Sequence, residues 1–114
     1  MDMGTDDYAA AYLAAETALN TGDVEPFQAL LADPMNWMGE DKSPAQAVAA
    51  FRELLGRGWR FQTSGLTGFG PFLIDYGWSS LPDGTRWRAA GVLRFNAEGR
   101  VDQWSGLAES PSAG

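Results

Sequence analysis

The spacing of apolar residues changes along this chain, from a helical repeat in the first half to a strand repeat in the second. The helical repeat begins with residues three or four positions apart, Tyr8, Tyr12, Ala15 and Leu19. This spacing predicts a helix with a single buried stripe. Thr5 is a suitable N-cap for this helix, and Asn20-Thr21-Gly22 is a suitable end.

Two further helices are predicted before the repeat changes. The first is short, with an apolar face made by Phe27, Leu30 and Leu31. It is expected to end at Asp33-Pro34, because the residue before a proline avoids the helical region. A brief strand over residues 35–38 follows. The second helix opens with a capping box, Ser43-Pro44-Ala45-Gln46, and ends at Gly56. Its buried residues are expected to be Val48, Phe51 and Leu55.

From Trp59 onward the repeat is two residues, as in strands with one buried face. In the segment 72–79 the bulky alternate set is Phe72, Ile74, Tyr76 and Trp78. We expect this set to face inward and the intervening residues, Asp75 among them, to face outward. In the next strand the inward set is expected to be Trp87, Ala89, Gly91 and Leu93. Turn sequences at 81–84 and 96–99, each ending in glycine, separate the strands.

The predicted order is two helices, a short strand, a third helix and about four strands in an antiparallel meander. Helices segregated from an antiparallel sheet define an α+β domain. We expect a cone, in which three helices pack over the concave side of a curved, mainly antiparallel sheet and leave an apolar pocket. Residues 5–109 are predicted to form this single domain, and residues 110–114 a disordered tail.

Composition restricts the chemistry of the protein. The chain has 114 residues, which is enough for one domain, and 45% of them are apolar. It contains no cysteine and no histidine, which removes thiolate chemistry, disulfides, histidine acid–base catalysis and the usual zinc sites. We therefore expect no metal and no cofactor. Catalysis would have to use carboxylates, tyrosine, arginine or an added cofactor. Lys42 is a poor candidate, since it lies in a polar loop, residues 40–43, that does not favour a reactive amine.

Charge and hydropathy restrict the partners. The net charge of −7 argues against nucleic acid, whose phosphates require a basic surface. No apolar run approaches the roughly 20 residues of a membrane span, and the N-terminus lacks the pattern of a signal peptide. The expectation is a cytoplasmic protein with no nucleic-acid or membrane partner.

Two parts of the sequence carry a family resemblance. One is Ala18-Leu19-Asn20-Thr21-Gly22-Asp23 with Leu30-Leu31-Ala32-Asp33 after it, and the other is residues 93–101 with Trp104 after them. They resemble the first two helices and the last hairpin of bacterial ketosteroid isomerases and SnoaL-like polyketide cyclases, in the nuclear-transport-factor-2-like superfamily. The resemblance extends over residues 8–109. It implies a small cone-shaped domain, commonly dimeric, with a pocket for a hydrophobic small molecule.

The resemblance also points to functional positions, and this chain has a small residue at each of them. The isomerases' helix tyrosine falls on Ala15, and their general-base aspartate falls on Gly39, beside Glu40. Their oxyanion-hole aspartic acid, a known example of a carboxyl group kept protonated in those enzymes, falls on Gly91. The strand acid of the cyclases and of limonene-type epoxide hydrolases falls on Gly106. If all four positions face the cone, its pocket is roomier and less polar than in the isomerases.

Aromatic and small residues of the predicted strands are expected to line this pocket. The rings would provide flat apolar walls with indole N–H groups for a ligand oxygen. Glycines opposite tryptophans would leave space that a closed core would fill. The same aromatic residues could instead do no more than fill a core. The predicted ligand-binding residues are Trp37, Phe61, Phe72, Tyr76, Trp78, Trp87, Gly91, Trp104 and Gly106.

Few side chains remain for acid–base chemistry. Glu40 is the predicted general base, because a carboxylate at the end of the first strand could reach the mouth of the cone. The alternative is that Glu40 is a solvated loop acid. Tyr12 and Tyr8 lie on the inward helix stripe, where a hydroxyl could donate to a ligand carbonyl or the rings could only pack. Asp102 shares its parity with Trp104, and a surface position on the hairpin competes with an inward one.

Two functions remain open from the sequence. The first is an enzyme of isomerase, cyclase or hydrolase type, using metal-free acid–base chemistry on a polyketide-, terpenoid- or steroid-like substrate. The second is a binding module that holds such a molecule without turnover. A homodimer through the outer face of the sheet is also predicted, from Arg86, Arg88 and Arg94 beside the outward Ala90 and Val92.

Overall fold

The three helices lie in the first half of the chain and four consecutive strands follow them, as expected for an α+β fold. The computed structural model describes residues 4–109, so the predicted tail at 110–114 lies outside the described residues. The helices are α1 (Thr5–Asn20), α2 (Glu25–Ala29) and α3 (Pro44–Gly56). The strands are β1 (Leu31–Trp37), β2 (Glu40–Lys42), β3 (Arg60–Phe69), β4 (Phe72–Ser80), β5 (Arg86–Phe95) and β6 (Val101–Ala108). The predicted fold class, three helices with a mainly antiparallel sheet, is confirmed for this part of the chain.

The strands form one mixed sheet in the order β2-β1-β6-β5-β4-β3. Strands β3 to β6 make the predicted antiparallel meander. Strand β1 pairs parallel to β6 and antiparallel to the short β2. Helix α1 packs on β3 and β4, while α2 and α3 pack on β1. The helices therefore cover the sheet from opposite ends, and the inner surfaces of β5 and β6 lie between them.

The core lies between the helices and the inner face of the sheet. Its most completely buried large side chains are Phe27, Leu31, Met35, Leu73, Leu93 and Val101. Burial of Tyr12, Ala15 and Leu19 confirms the predicted stripe of α1. The structure contains no helix, within residues 4–109, that has the length and apolar character to cross a membrane.

The capping box predicted at the start of α3 is confirmed. The Ser43 hydroxyl accepts from the Gln46 backbone N–H at 3.2 Å, and the Gln46 side chain accepts from the Ser43 N–H at 2.9 Å. These bonds satisfy two donors that a helix start leaves free, so the chain turns into α3 at a fixed position. The helix then buries Val48 and Phe51 and ends at Gly56, as expected.

Three predictions in the first half of the chain are wrong. Gly4, not Thr5, occupies the N-cap of α1, and its N–H donates to the Asp7 carboxylate at 3.0 Å. The segment with Asp33-Pro34 is not a helix end, because β1 begins at Leu31 and runs through it. Pairing with β6 explains this difference, since the Val101 N–H donates to the Leu30 carbonyl at 2.8 Å. Residues 40–42, expected in a loop, form β2.

The facing predicted for β4 is also wrong. Leu73 is 1% exposed, whereas Tyr76 is 50% exposed. Residues directly opposite in an antiparallel pair share a face, and Asp75 lies opposite the buried Gly91 of β5. The pairing register with β5 thus places the odd-numbered residues of β4 inside. The outer set is Phe72, Ile74, Tyr76 and Trp78. The facing predicted for β5 is confirmed, with Trp87, Gly91 and Leu93 buried and Arg86, Arg88 and Arg94 exposed.

Candidate functional site

A cavity of about 290 Å³ lies between α1 and the inner face of β3 to β6. This volume is at the lower end of the range for small-molecule sites, roughly 300–1,000 Å³. Aromatic rings form much of the wall, from Phe27, Phe51, Phe61 and Trp104. Small residues of the sheet form much of the rest, from Gly77, Ala89, Gly91, Gly106 and Ala108. The cavity suits a compact apolar molecule.

The Trp104 indole forms one wall and presents a hydrogen-bond donor. The ring packs against Trp37 with 4.8 Å between ring centroids. A Cβ atom added to Gly91 would lie 3.3 Å from Trp104 Nε1, and one added to Gly106 would lie 3.6 Å from the same atom. The two glycines therefore make room for the indole edge. No group in residues 4–109 accepts a hydrogen bond from this N–H, which leaves it available to a ligand oxygen.

Four polar side chains of the wall form a hydrogen-bonded network, which we call the carboxyl network: Tyr12, Glu16, Thr63 and Asp75. The Tyr12 phenol donates to the Asp75 carboxyl group. The Thr63 backbone N–H donates to Glu16 Oε1 at 3.0 Å. The Thr63 hydroxyl lies 2.6 Å from Glu16 Oε2 and 3.0 Å from Asp75 Oδ1. One threonine thus bridges two carboxyl groups.

Local structure places these side chains together. Tyr12 and Glu16 are four residues apart on α1 and so point to the same side. Asn20 attaches α1 to β3, because its amide donates to the Phe61 carbonyl at 2.6 Å and its Oδ1 accepts from the Phe61 N–H at 2.9 Å. These two hydrogen bonds hold α1 in a fixed position next to β3, the strand that carries Thr63.

Strands β3 and β4 approach closely beside the network. A Cβ atom on Gly77 would lie 1.9 Å from the Gln62 carbonyl oxygen, so only glycine fits there. The register shifts between Thr63 and Gly65, in an irregularity of the kind that redirects side chains near functional sites. Beside this irregularity, the Thr63 hydroxyl lies 3.0 Å from Asp75 Oδ1 on the neighbouring strand.

Burial determines the electrostatics of the network. It raises the pKa of Glu16 above its ordinary value, and the negative charge of Asp75 adds to this effect, while hydrogen bonds from Thr63 oppose it. Burial also raises the pKa of the Tyr12 phenol, as do the charge and hydrogen bond of Asp75. Neither carboxyl group forms an ion pair with any lysine or arginine that the structure describes. The phenol therefore stays protonated, and Glu16 binds a proton more readily than an exposed glutamate does.

The predicted catalytic residues are only partly in the cavity. Tyr12 lines it, but the Tyr8 ring stacks on Phe95 with 4.2 Å between centroids. The Glu40 side chain is 77% exposed and pairs with Lys42 at 3.7 Å, so the prediction that it reaches the mouth is wrong. The reason is that residues 40–42 form the edge strand β2, in which Glu40 and Asp41 are exposed. Asp102 points outward and pairs with an exposed arginine.

The predicted ligand-binding residues divide in a similar way. The cavity wall includes Phe61, Gly91, Trp104 and Gly106, and Trp78 also contributes to it although it belongs to the outer set of β4. Trp37 packs behind the Trp104 ring instead, and Trp87 packs edge-on against Trp59 with 4.5 Å between centroids. Phe72 and Tyr76 lie on the outer face, because the facing of β4 is the reverse of the prediction. Their assignment to the cavity wall is wrong for that reason.

The positions suggested by the family resemblance also separate in space. Gly91 and Gly106 line the cavity, where the resemblance placed the oxyanion-hole and strand acids. Ala15 is part of the closed core. Gly39 lies in the β1–β2 turn with a φ of +90°. Met38 in the same turn reaches the cavity, and its sulfur accepts from the Gly106 N–H at 3.1 Å.

Three of the four residues in the carboxyl network, Glu16, Thr63 and Asp75, are not among the site residues predicted from the sequence. Glu16 carried a usable signal, because it is one helical turn from the inward Tyr12. Thr63 carried a weaker one, since it shares the parity of Phe61. Asp75 was predicted to face outward, and this is wrong because the Tyr12 phenol and the Thr63 hydroxyl offer it partners inside.

Comparison with known proteins shows the fold. No protein-family model matches the sequence, and no curated protein matches it. Solved structures do match. A SnoaL-like polyketide cyclase from Agrobacterium tumefaciens superposes with a TM-score of 0.80 at 12% identity, over 95% of this chain and 94% of the other. An NTF2-like protein of unknown function from Mesorhizobium loti gives 0.80 at 15% identity, over 96% and 97%.

A third similar structure is a candidate ketosteroid isomerase from Kribbella flavida, with a TM-score of 0.79 at 21% identity, over 96% of this chain and 83% of the other. The chain therefore has the nuclear-transport-factor-2-like fold, as the resemblance implied. This fold supports many activities, so the function has to be argued from the cavity itself.

Proposed function

We propose that this protein is an enzyme that moves protons, by metal-free acid–base chemistry, on a mostly apolar small molecule held in the cavity. One observation carries the proposal: two carboxyl groups bridged by a hydroxyl lie in the wall of an otherwise largely apolar cavity. Carboxylates at the surface are hydrated by water and do not need hydrogen-bond partners from the protein. A partly buried carboxyl group whose pKa is raised above its ordinary value is suited to accept and return a proton.

Each polar group of the cavity has a distinct proposed role. Proton transfer, which was predicted from the sequence for Glu40, is assigned to Glu16 and Asp75. Tyr12 is a positioning residue, because its phenol holds the Asp75 carboxyl group in place. The Trp104 N–H would bind a ligand oxygen, and the aromatic walls would select a flat apolar body.

The substrate class follows from these walls. We propose a polyketide-, terpenoid- or steroid-like molecule with at least one oxygen, undergoing an isomerisation, cyclisation or hydrolysis. Two of the similar solved structures bear the names polyketide cyclase and candidate ketosteroid isomerase, which supports this class of chemistry. The small volume favours a compact molecule, or one that extends past Met38 at the mouth.

A second candidate function is a binding module without turnover. Every oxygen of Glu16 and Asp75 already contacts a partner inside the protein. A network satisfied in this way can hold α1 against the sheet without any chemistry. The cavity would then bind a ligand through its aromatic walls and the Trp104 N–H alone.

Hydrogen exchange separates the two functions. Flat steroid and polyketide-like ketones are first screened by quenching of tryptophan fluorescence. Those that bind are incubated with protein in D₂O, and mass spectrometry measures deuterium incorporated into the compound. An enzyme should catalyse incorporation, and Asp75→Asn should slow it by about 10²–10⁴ while binding persists. Binding without exchange in the wild type supports the binding module, and absence of binding contradicts both.

We also propose that the protein forms a homodimer through the outer face of the sheet. This face carries exposed apolar side chains, with Tyr76 50%, Val92 41% and Leu107 82% exposed. Exposed apolar area of this kind commonly marks an interface. Light scattering at tens of micromolar protein tests the proposal, with Leu107→Glu expected to give monomers; a monomeric wild type would contradict it. The cytoplasmic location and the lack of a nucleic-acid partner stay predictions.

A further inference from the structure

The carboxyl network has fewer hydrogens than contacts when both acids are ionised. Four contacts join its members: phenol to Asp75, backbone N–H to Glu16, and hydroxyl to each carboxyl group. The Tyr12 phenol supplies one hydrogen, the Thr63 N–H supplies another, and the Thr63 hydroxyl supplies a third. The Thr63 hydroxyl can donate its hydrogen to only one of its two carboxyl neighbours at a time. The fourth contact then needs a hydrogen from a carboxyl group, or two oxygens face each other without one.

We propose that Glu16 and Asp75 hold one proton between them at neutral pH, and that the Thr63 hydroxyl relays it from one to the other. In the first arrangement Thr63 donates to Glu16 and protonated Asp75 donates to Thr63. In the second, protonated Glu16 donates to Thr63 and Thr63 donates to Asp75. Interconversion moves two hydrogens along the same line of oxygens and leaves the total charge unchanged.

The surroundings of the pair favour a retained proton. The groups that face it are the Tyr12 phenol from α1, the Thr63 hydroxyl from β3, and the two carboxyl groups themselves. No lysine or arginine of residues 4–109 forms an ion pair with Glu16 or Asp75 to offset a second negative charge. Two carboxylates in one partly buried site repel, and binding one proton between them removes that repulsion. The raised pKa of Glu16 agrees with this arrangement.

The shared proton would give the cavity an acid and a base at the same time. One carboxyl group could accept a proton from a ligand while the other returned one, with the relay restoring the starting state. This consequence rests on the proposed function. The shared proton does not, because it is a property of the protein without any ligand.

A titration without ligand tests the proposal. Carbon-13 NMR of protein labelled at the aspartate and glutamate carboxyl carbons follows each acid as the pH rises. We expect the Glu16 and Asp75 carbons to respond together in one step that persists above neutral pH, as coupled sites do. Complete ionisation of both below pH 7, or a response of one carbon alone in that step, would overturn the proposal.

Single substitutions of the two acids sharpen the test. In Asp75→Asn the step seen at Glu16 should move to lower pH by about one unit or more, a tenfold loss of proton affinity. In Glu16→Gln the step seen at Asp75 should move in the same direction. A shift in only one variant would mean that the proton belongs to a single acid, which contradicts sharing.

The relay has its own test at Thr63. Thr63→Val should uncouple the acids, so that their carbons titrate in separate steps, and Thr63→Ser should restore the common step. Thr67→Val is a matched control, because Thr67 lies on the same strand with an exposed side chain. A common step that survives in Thr63→Val would overturn the relay. If that variant does not fold, the titration of the wild type and the two acid variants still decides whether the proton is shared.

Discussion

The hydrogen bond from Tyr12 to Asp75 should be a major polar contribution to stability, and Tyr12→Phe tests this. Tyr12 is 4% exposed, and the bond joins positions 63 residues apart in the sequence. The substitution keeps the packed ring but removes the hydroxyl, which leaves a carboxyl oxygen of Asp75 without this donor. Hydrogen bonds to charged groups contribute about 1.5–3 kcal/mol, so we expect a loss of that size.

The expected loss converts to a change in melting temperature. Unfolding entropy near 60 °C is about 2.1 cal/mol/K per residue, or about 0.24 kcal/mol/K for a chain of this length. Dividing the free energy by this entropy gives a fall in Tm of about 6–12 °C. Thermal melts followed by circular dichroism measure this directly, and urea denaturation gives the free energy of unfolding independently.

Tyr8→Phe is the matched control. Tyr8 lies one turn earlier on the same helix, and its ring stacks on Phe95. Its hydroxyl makes no hydrogen bond with the residues that the structure describes, so its removal should change stability by no more than about 0.5 kcal/mol. If Tyr12→Phe has the same melting temperature as Tyr8→Phe, the reasoning is refuted, because the hydrogen bond to Asp75 would then make no net contribution to stability.

Three other substitutions probe the cavity and its acids. Gly91→Leu should prevent uptake of apolar ligands, because even a Cβ atom there would lie 3.3 Å from Trp104 Nε1; unchanged fluorescence quenching would place the ligand elsewhere. Glu16→Gln should gain stability relative to the wild type as the pH rises above about 4.5, because a carboxyl group whose pKa is raised on folding disfavours the folded state once it ionises. Urea midpoints across pH measure this gain, and parallel profiles for the two proteins would contradict it. Glu40→Gln should leave ligand binding and deuterium exchange unchanged, since its side chain is in solvent; a tenfold loss of exchange would return Glu40 to the site.

Features set by neighbours in the sequence were predictable. The capping box at Ser43 and Gln46 formed as expected, because both of its hydrogen bonds connect residues three positions apart. The turn ending at Gly84 formed because glycine accommodates the φ of +92° that the chain adopts there. The stripe of α1 and the facing of β5 followed from simple periodicity. Together these local features were sufficient to predict the fold class.

Features set by distant contacts were not predictable in the same way. Strand β1 extends back to Leu31 because it pairs with β6, about 70 residues later. Over residues 72–79, the even-numbered set of β4 is entirely apolar or aromatic, whereas Leu73 is the one large apolar residue of the odd-numbered set, so the alternation predicted the wrong facing. The register with β5 decided the facing instead. That choice placed the bulky Tyr76 outside and Asp75 inside.

The candidate site depends on the same distant contacts. The sequence alone determined that catalysis could not use histidine or cysteine, and that carboxyl groups and tyrosines were among the few side chains left. Only the tertiary structure decided which of fifteen acidic residues meet in the cavity. The physical reason is that a carboxyl group can be buried only where partners satisfy it. For Asp75 those partners are Tyr12 and Thr63, which α1 and β3 bring to it from distant parts of the chain.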